Sequence, residues 1–376
     1  MHAKWIVLFG WLIFATPASF GRAQDSAAAA NASSQEKLKS IRASAIKYLQ
    51  TQGQAKDGTF SIQAGPGVTA LVLTAMLRSG VPLEDPAIKK GIAAMQGVVK
   101  PDGGIYGNGR LKNYETCVGI LFFAEANRLA KDGRYDKILA DAKAFLISLQ
   151  YGDGSVKTDS PDYGGVGYGG AGRPDMSNTA YFLEALHTLG TPETDPAVQR
   201  ALVFISRCQN LASEHNTNPL SAKVNDGGFF YKLPAEADLE SADRSAPAGG
   251  LRSYGSMTYS GLKSMIYAGL TKNDPRVEAA AKWIAMHYSL QENPGMGKAG
   301  LFYYYHTFGV ALKTLGDPTI SDGDGKAHAW RSELIEQLAS IQKSDGSWQN
   351  DNQQWFESDK NLSTAFALLA LAYCQE

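Results

Sequence analysis

Apolar positions along this chain fall into two kinds of helical stretch that alternate. In the first kind, as in KILADAKAFLISLQ, Lys, Asp and Gln interrupt the apolar residues and leave a single apolar face. The second kind is apolar almost throughout: VTALVLTAML, ETCVGILFFAEANRL, SNTAYFLEALHTLG, TYSGLKSMIYAGL, YYYHTFGVALKTLG and NLSTAFALLALAYC. Small residues recur along these (Ala70, Ala75, Gly119, Ala180, Gly261, Gly309, Ala365) and permit close helix packing. Three stretches of the first kind open on Asp-Pro, at Asp85, Asp195 and Asp274, which places Asp as a cap and Pro at the first helical position. No strand-like alternation competes over any length.

The pairs repeat with a punctuation of their own. Gln50, Gln96, Gln150, Gln209 and Gln342 end stretches of the first kind, with Tyr288 near the corresponding place in the fifth copy. An Asp-Gly turn follows at Asp57, Asp102, Asp153, Asp226 and Asp345, and then Phe60, Tyr106, Val156, Phe229 or Trp348. The fifth copy has NPGMGKAG instead. Outer helices wetted on one face and inner helices covered on both suit two concentric layers, and six pairs close a ring. The predicted fold is all-α, an (α/α)6 toroid of six helical hairpins. An open solenoid is the alternative, disfavoured because ALLALAYC would leave an uncapped apolar end.

Outside the repeats, the first residues carry Lys4, an apolar run from Trp5 to Phe14, and small residues up to Ala23. That run is about half of the ~20 residues a membrane span needs, so residues 1–23 read as a cleaved secretory signal. Residues 24–33 read as a flexible leader and 34–376 as one toroid domain. The protein is thus expected to be exported, periplasmic or extracellular, with no membrane span once the signal is removed. The chain has 36 basic and 37 acidic residues, a balance that suggests no nucleic-acid partner. Cys117, Cys208 and Cys374 sit far apart in apolar stretches and read as buried free thiols.

The endings FLISLQYGDGSV and QLASIQKSDGSWQ resemble the repeat motif of triterpene cyclases, in which a Gln precedes a Gly-x-Trp turn. The resemblance spans residues 34–376 and implies the toroid shared by squalene and hopene cyclases, class II diterpene cyclases and protein prenyltransferase β subunits. In those families the active site lies at the mouth where the inner helices begin. GRPDMSNTAYFLEAL resembles the cyclase acid motif Pro-Asp-x-Asp-Asp-Thr-Ala through Pro174, Asp175, Thr179 and Ala180. Its proton-donating middle Asp is replaced by Ser177 and the next Asp by Asn178, and a serine hydroxyl cannot protonate an alkene. Likewise FYYYHTFG resembles the prenyltransferase segment carrying a zinc-ligand His, here His306, while Ser256 and Thr258 stand where that family has Asp and Cys. One imidazole and two hydroxyls do not make a catalytic zinc site, so no metal is expected.

Both inherited reaction centres are therefore degraded. Asp175, Glu115 and Asp359 are the remaining candidate acids; for Asp175 the competing role is a helix cap. Tyr114, Ser177, Asn178, Tyr254, Tyr259, Tyr304, Tyr305, His306 and Trp355 are the candidate binding residues at the mouth. Two long loops, DYGGVGYGGAGRPD and the segment from Asn210 to Arg252, are placed to cover it. Nucleotide and hydrolase motifs are missing, and no cofactor is expected. The leading expectation is an exported toroid without classical cyclase or zinc prenyltransferase catalysis, which binds an isoprenoid-like or other hydrophobic small molecule, or a protein partner. The alternatives are a terpenoid cyclase or isomerase with a substitute acid such as Asp175, and a carbohydrate-active enzyme using Glu115 with Asp175.

Overall fold

The computed structural model describes residues 17–169, 172–234, 246 and 249–375, with side chains from residue 33 onward. The outer helices are α1 (Pro17–Tyr48), α3 (Pro86–Gln96), α5 (Asp136–Ser148), α7 (Pro196–Arg207), α10 (Pro275–Met286) and α12 (Trp330–Ser340). The inner helices are α2 (Pro66–Arg78), α4 (Lys112–Ala130), α6 (Met176–Thr188), α9 (Gly255–Tyr267), α11 (Leu301–Leu315) and α13 (Lys360–Ala372). A short α8 (Pro219–Val224) lies in the loop after α7, and a two-stranded ribbon, β1 (Ile320–Ser321) with β2 (Ala327–His328), joins α11 to α12. Inner helices pack in sequence, α2 on α4, then α6, α9, α11 and α13, and α13 packs back on α2. The ring is closed, as the (α/α)6 pattern requires.

The two helix classes differ as their patterns dictate. In α2 every residue from Pro66 to Leu77 is buried, while α7 buries one face through Val198, Ala201, Leu202 and Ile205. Asp85, Asp195 and Asp274 each accept a hydrogen bond from the backbone two residues on, capping α3, α7 and α10. The three cysteines are buried and unpaired. The export segment lies mostly outside the described residues. α1 runs through the residues read as a leader, and its contribution to the buried interior begins at Ser34 and Leu38. Among the described residues no helix is long and apolar enough to cross a membrane.

A threonine in the first or second turn of five inner helices ties the repeat together. Thr69, Thr116, Thr179, Thr258 and Thr364 each accept, at 2.9–3.0 Å, the N–H of Phe60, Ile105, Val166, Phe229 and Trp348 respectively. Each such buried bond contributes about 1 kcal/mol, and losing the acceptor would strand a buried N–H. A glutamine then joins neighbouring outer helices. The Nε2 of Gln54 donates to Gly58 O in its own turn and to Ala87 O in α3. Gln150 bonds Gly164 and Ala197, Gln209 bonds Gly227 and Arg276, and Gln342 bonds Gly346 and Ile41, so the last stitch reaches α1.

These bonds correct the repeat register. Gln54, not Gln50, makes the first stitch; Gln50 donates to the Asp85 carboxylate instead. Ile105 rather than Tyr106 follows the second turn. In the third copy the working turn is Asp162-Tyr163-Gly164 followed by Val166, not Asp153-Gly154 with Val156. The inserted residues between them hid this, because Asp153-Gly154 carries the same two letters. Gly164 has φ +84 and a β-carbon there would fall 1.8 Å from the carbonyl oxygen of Arg200 in α7, whereas Gly154 has φ +89 and open space around it.

Alanine at either glycine must adopt a left-handed backbone, a cost of about 1–2 kcal/mol. Only at 164 does it also collide with a neighbouring helix. Thermal unfolding of the two variants should give a fall of a few degrees for Gly154→Ala and a several-fold larger fall, or no soluble protein, for Gly164→Ala. Equal shifts would contradict this register.

Candidate ligand-binding mouth

The inner helices begin at one end of the ring, and a cavity of about 440 Å³ opens there. All six contribute a residue close to their N-termini: Val68, Tyr114, Ser177, Ser256, Tyr303 and Leu362. The loops add Tyr168, Tyr231, Tyr254, Trp355 and Phe356, and Tyr181, Met257 and Phe366 line it from further along the inner helices. Six tyrosines therefore share one cavity, and among the described residues no lysine or arginine lines it. Its size falls within the few hundred Å³ typical of small-molecule sites.

The aromatic wall is built by packing of rings on rings. Tyr181 stands edge-on to Tyr114 with centroids 5.2 Å apart and stacks on Tyr303 at 6.1 Å. Tyr303 leans on Phe366, and its hydroxyl shares hydrogen bonds with Ser177 at 3.2 Å and Ser260 at 3.5 Å. Burial pushes the Tyr303 phenol up to about 12, so it remains a neutral hydroxyl. The Tyr181 hydroxyl is buried without a protein partner among the described residues. At the rim, Trp355 and Phe356 are 54% and 61% exposed and both hold positive φ, 54 and 62, which costs side chains with a β-carbon free energy. Trp355 lies against Gly300, where an added β-carbon would be 3.1 Å from the indole.

Of the sequence-predicted binding residues, Tyr114, Ser177, Asn178, Tyr254 and Trp355 line the cavity. Tyr259, Tyr304, Tyr305 and His306 do not. The hydroxyls of Tyr304 and Tyr305 donate outward to the carbonyls of Ser289 and Leu290, and Tyr259 packs on Tyr304 and Phe308. A run of four aromatics on one helix cannot point all of them inward, because successive residues are ~100° apart. Of that run Tyr303 faces the cavity. His306 is buried one turn deeper, stacked on Phe366, and burial lowers its pKa to about 4. Ser256 instead accepts from Asn293, and Thr258 belongs to the threonine series.

None of the three candidate acids lines the cavity. Asp175 caps α6, accepting the Asn178 N–H and the Asn178 side-chain amide, both at 2.8 Å. Burial pushes its carboxyl up to about 6, held back by those Asn178 bonds and by the Tyr231 hydroxyl. Glu115 accepts the Gly107 N–H at 2.9 Å, and burial raises its pKa against that bond. Asp359 caps α13 through Leu362 N–H and accepts from Ser61. The carboxylate that does line the cavity, Glu357, was not foreseen. It accepts the Tyr303 and Phe302 N–H groups at the start of α11 and the Asn350 amide, and burial raises its pKa against those bonds. Tyr181 was legible in principle, one turn after Ser177 on the same face; for Glu357, a loop residue serving a distant helix, the sequence holds no signal.

No protein-family model and no curated protein matches the chain. Among solved structures, the type II terpene cyclase MstE from Scytonema is similar, at 13% identity and TM-score 0.50, over 90% of this chain and 97% of that one. A variant of the same enzyme in complex with geranylgeranyl dihydroxybenzoate gives 12% identity and TM-score 0.51, over 91% and 98%. A family 76 glycoside hydrolase from a bovine Bacteroides thetaiotaomicron strain gives 12% identity and TM-score 0.55, over 89% and 77%. At these identities the likeness is one of fold, the α/α toroid that these proteins share.

Asp175 has a pKa above its ordinary value in the folded state, so folding favours its protonated form. The stability that follows is fully present below about pH 4 and is lost as pH rises through 6, at most about 3 kcal/mol. Asp175→Asn keeps a cap acceptor and should flatten that part of the denaturation profile between pH 4 and 6. A slope unchanged from the parent would contradict the assignment.

Proposed function

We propose that the mouth binds a neutral hydrophobic small molecule, isoprenoid-like in shape, and leaves it chemically unchanged. The observation that carries this reading is the cavity lining: six phenols, Trp355 and Phe356 with Val68, Met257 and Phe366, and, among the described residues, no cation to pair with a diphosphate or carboxylate. Such walls bury apolar ligand surface at roughly 25 cal/mol per Å², while scattered hydroxyls fix orientation. The position that corresponds to the cyclase acid does face the cavity, but it is Ser177, bonded to Tyr303. The substrate of the cyclase-fold neighbour carries a geranylgeranyl group, which supports a polyprenyl chain as the occupant. The signal-like N-terminus supports work outside the cytosol.

The catalytic alternatives rest on acids that the ring uses elsewhere. Asp175 and Glu115 have fixed backbone partners and stand outside the lining, and Glu357, the one lining carboxylate among the described residues, would not by itself supply the pair that glycoside cleavage needs. A protein partner over the rim is the other reading, and exposed Trp355 and Phe356 favour it.

Titration with geranylgeraniol, followed by tryptophan fluorescence, should saturate, because Trp355 lines the cavity. Trp355→Ala, an exposed change with little effect on the fold, should weaken binding by about tenfold, read by competition or calorimetry. No saturable binding by the parent protein would sink the small-molecule reading and leave the rim as a protein-docking surface.

A further inference from the structure

The opposite end of the ring holds a second cavity, of about 470 Å³, with a lining of reverse character. The C-terminal parts of the inner helices reach it, bringing Arg78 from α2, Arg128 from α4, Lys313 from α11 and Tyr373 just after α13. Two acids face it, and each already has a cation. Glu125 pairs with Arg128 at 2.5 Å. Glu184 pairs with Lys263, and both side chains are almost wholly buried. Burial works against the Glu184 charge, and Lys263 beside it with Arg78 nearby outweighs burial, so its carboxyl sits below the ordinary value.

Arg42 of α1 is committed as well, donating at 2.6 Å to the Ser79 carbonyl at the end of α2. Arg78 and Lys313 remain. Among the described residues neither forms an ion pair. Arg78 donates to the Tyr373 hydroxyl at 2.9 Å, and the Lys313 ammonium lies 5.8 Å from the centroid of that same ring. The Gln375 side chain lines the cavity too, and its Nε2 is buried without a partner among the described residues.

Cations near helix C-termini offset the carbonyl end of the helix dipole, which accounts for basic residues in the last turns of α2, α4 and α11. It does not account for the Gln375 Nε2, buried without a partner among the described residues in the same wall, nor for two cations that form no direct ion pair while the acids beside them already hold Arg128 and Lys263. A buried donor without an acceptor is unfavourable, and an arriving oxyanion would satisfy it together with both cations. We infer that the far mouth is a second ligand site, for a small oxyanion (a phosphate or carboxylate group) held between Arg78 and Lys313 with Gln375 donating. It is separate from the apolar mouth, so one ring would present a neutral and an anionic ligand site at its two ends.

Calorimetric titration with inorganic phosphate and with succinate, at ionic strength matched with chloride, tests the site directly. Saturable binding of at least one probe is expected. Lys313→Glu, an exposed change, should weaken it at least about tenfold, as loss of a charge-assisted contact does, while Trp355→Ala leaves it unchanged. Phosphatidate-containing vesicles identify the source: protein that sediments with them in a Lys313-dependent manner takes the oxyanion as a lipid headgroup, and protein that stays in solution while binding phosphate takes it free. Absence of saturable binding to phosphate, succinate and vesicles alike, or binding that Lys313→Glu does not change, would overturn the inference.

Discussion

Five threonine hydroxyls, each holding one backbone N–H at the entrance of an inner helix, set the geometry on which everything else rests. The bond fixes where an inner helix starts relative to the turn before it. In the first, third, fourth and sixth copies a glutamine (Gln54, Gln150, Gln209 or Gln342) then bonds both that turn and the next outer helix. Together they repeat the same angle around the ring until α13 meets α2 and the Gln342 stitch reaches α1. The fifth copy lacks this threonine; there Glu357 reaches across from the last loop to hold the first N–H groups of α11. A carboxylate in place of a hydroxyl suits a helix N-terminus, where the dipole is positive.

The same constraint explains why the two ends of the ring differ. Each inner helix starts at one mouth, where caps, aromatic side chains and loops gather, and ends at the other, where basic side chains meet the carbonyl ends. Between the cavities, Tyr181 and Tyr303 close off the apolar mouth, and the Glu184–Lys263 pair with His306 lies deeper. Removing two charges from water costs several kcal/mol, so the pair is tolerated only because its members meet each other.

The fold was legible because period-3.6 patterning and Asp-Pro caps are local signals, and both survive in the helices as formed. The register of the repeat was legible only in part. Asp153-Gly154 looked like the third turn, yet a turn is defined by what its glycine touches, and only Gly164 meets the next outer helix. Thr179 and Thr258 looked like remnants of acid and zinc motifs; their hydroxyls are the third and fourth of the structural series. Reading the five threonines together would have separated scaffold from site. The site itself was half legible. Residues placed at inner-helix entrances, such as Tyr114, Ser177 and Asn178, do line the mouth, whereas the run Tyr304-Tyr305-His306 turned away with the helix, and Tyr231 and Glu357 arrive on loops whose paths no local pattern encodes.

At the apolar mouth Ser177 stands where the sequence motif it resembles carries a proton-donating Asp, and the proposed function requires that no acid protonates the ligand in the cavity. Protonation of an alkene leaves a permanent mark if the solvent is deuterium oxide. Incubation of the protein with geranylgeraniol in that solvent, followed by mass spectrometry of the extract, should return the polyprenol with its mass and retention unchanged. A cyclised or isomerised product carrying carbon-bound deuterium would contradict the claim and show that an acid does reach the cavity.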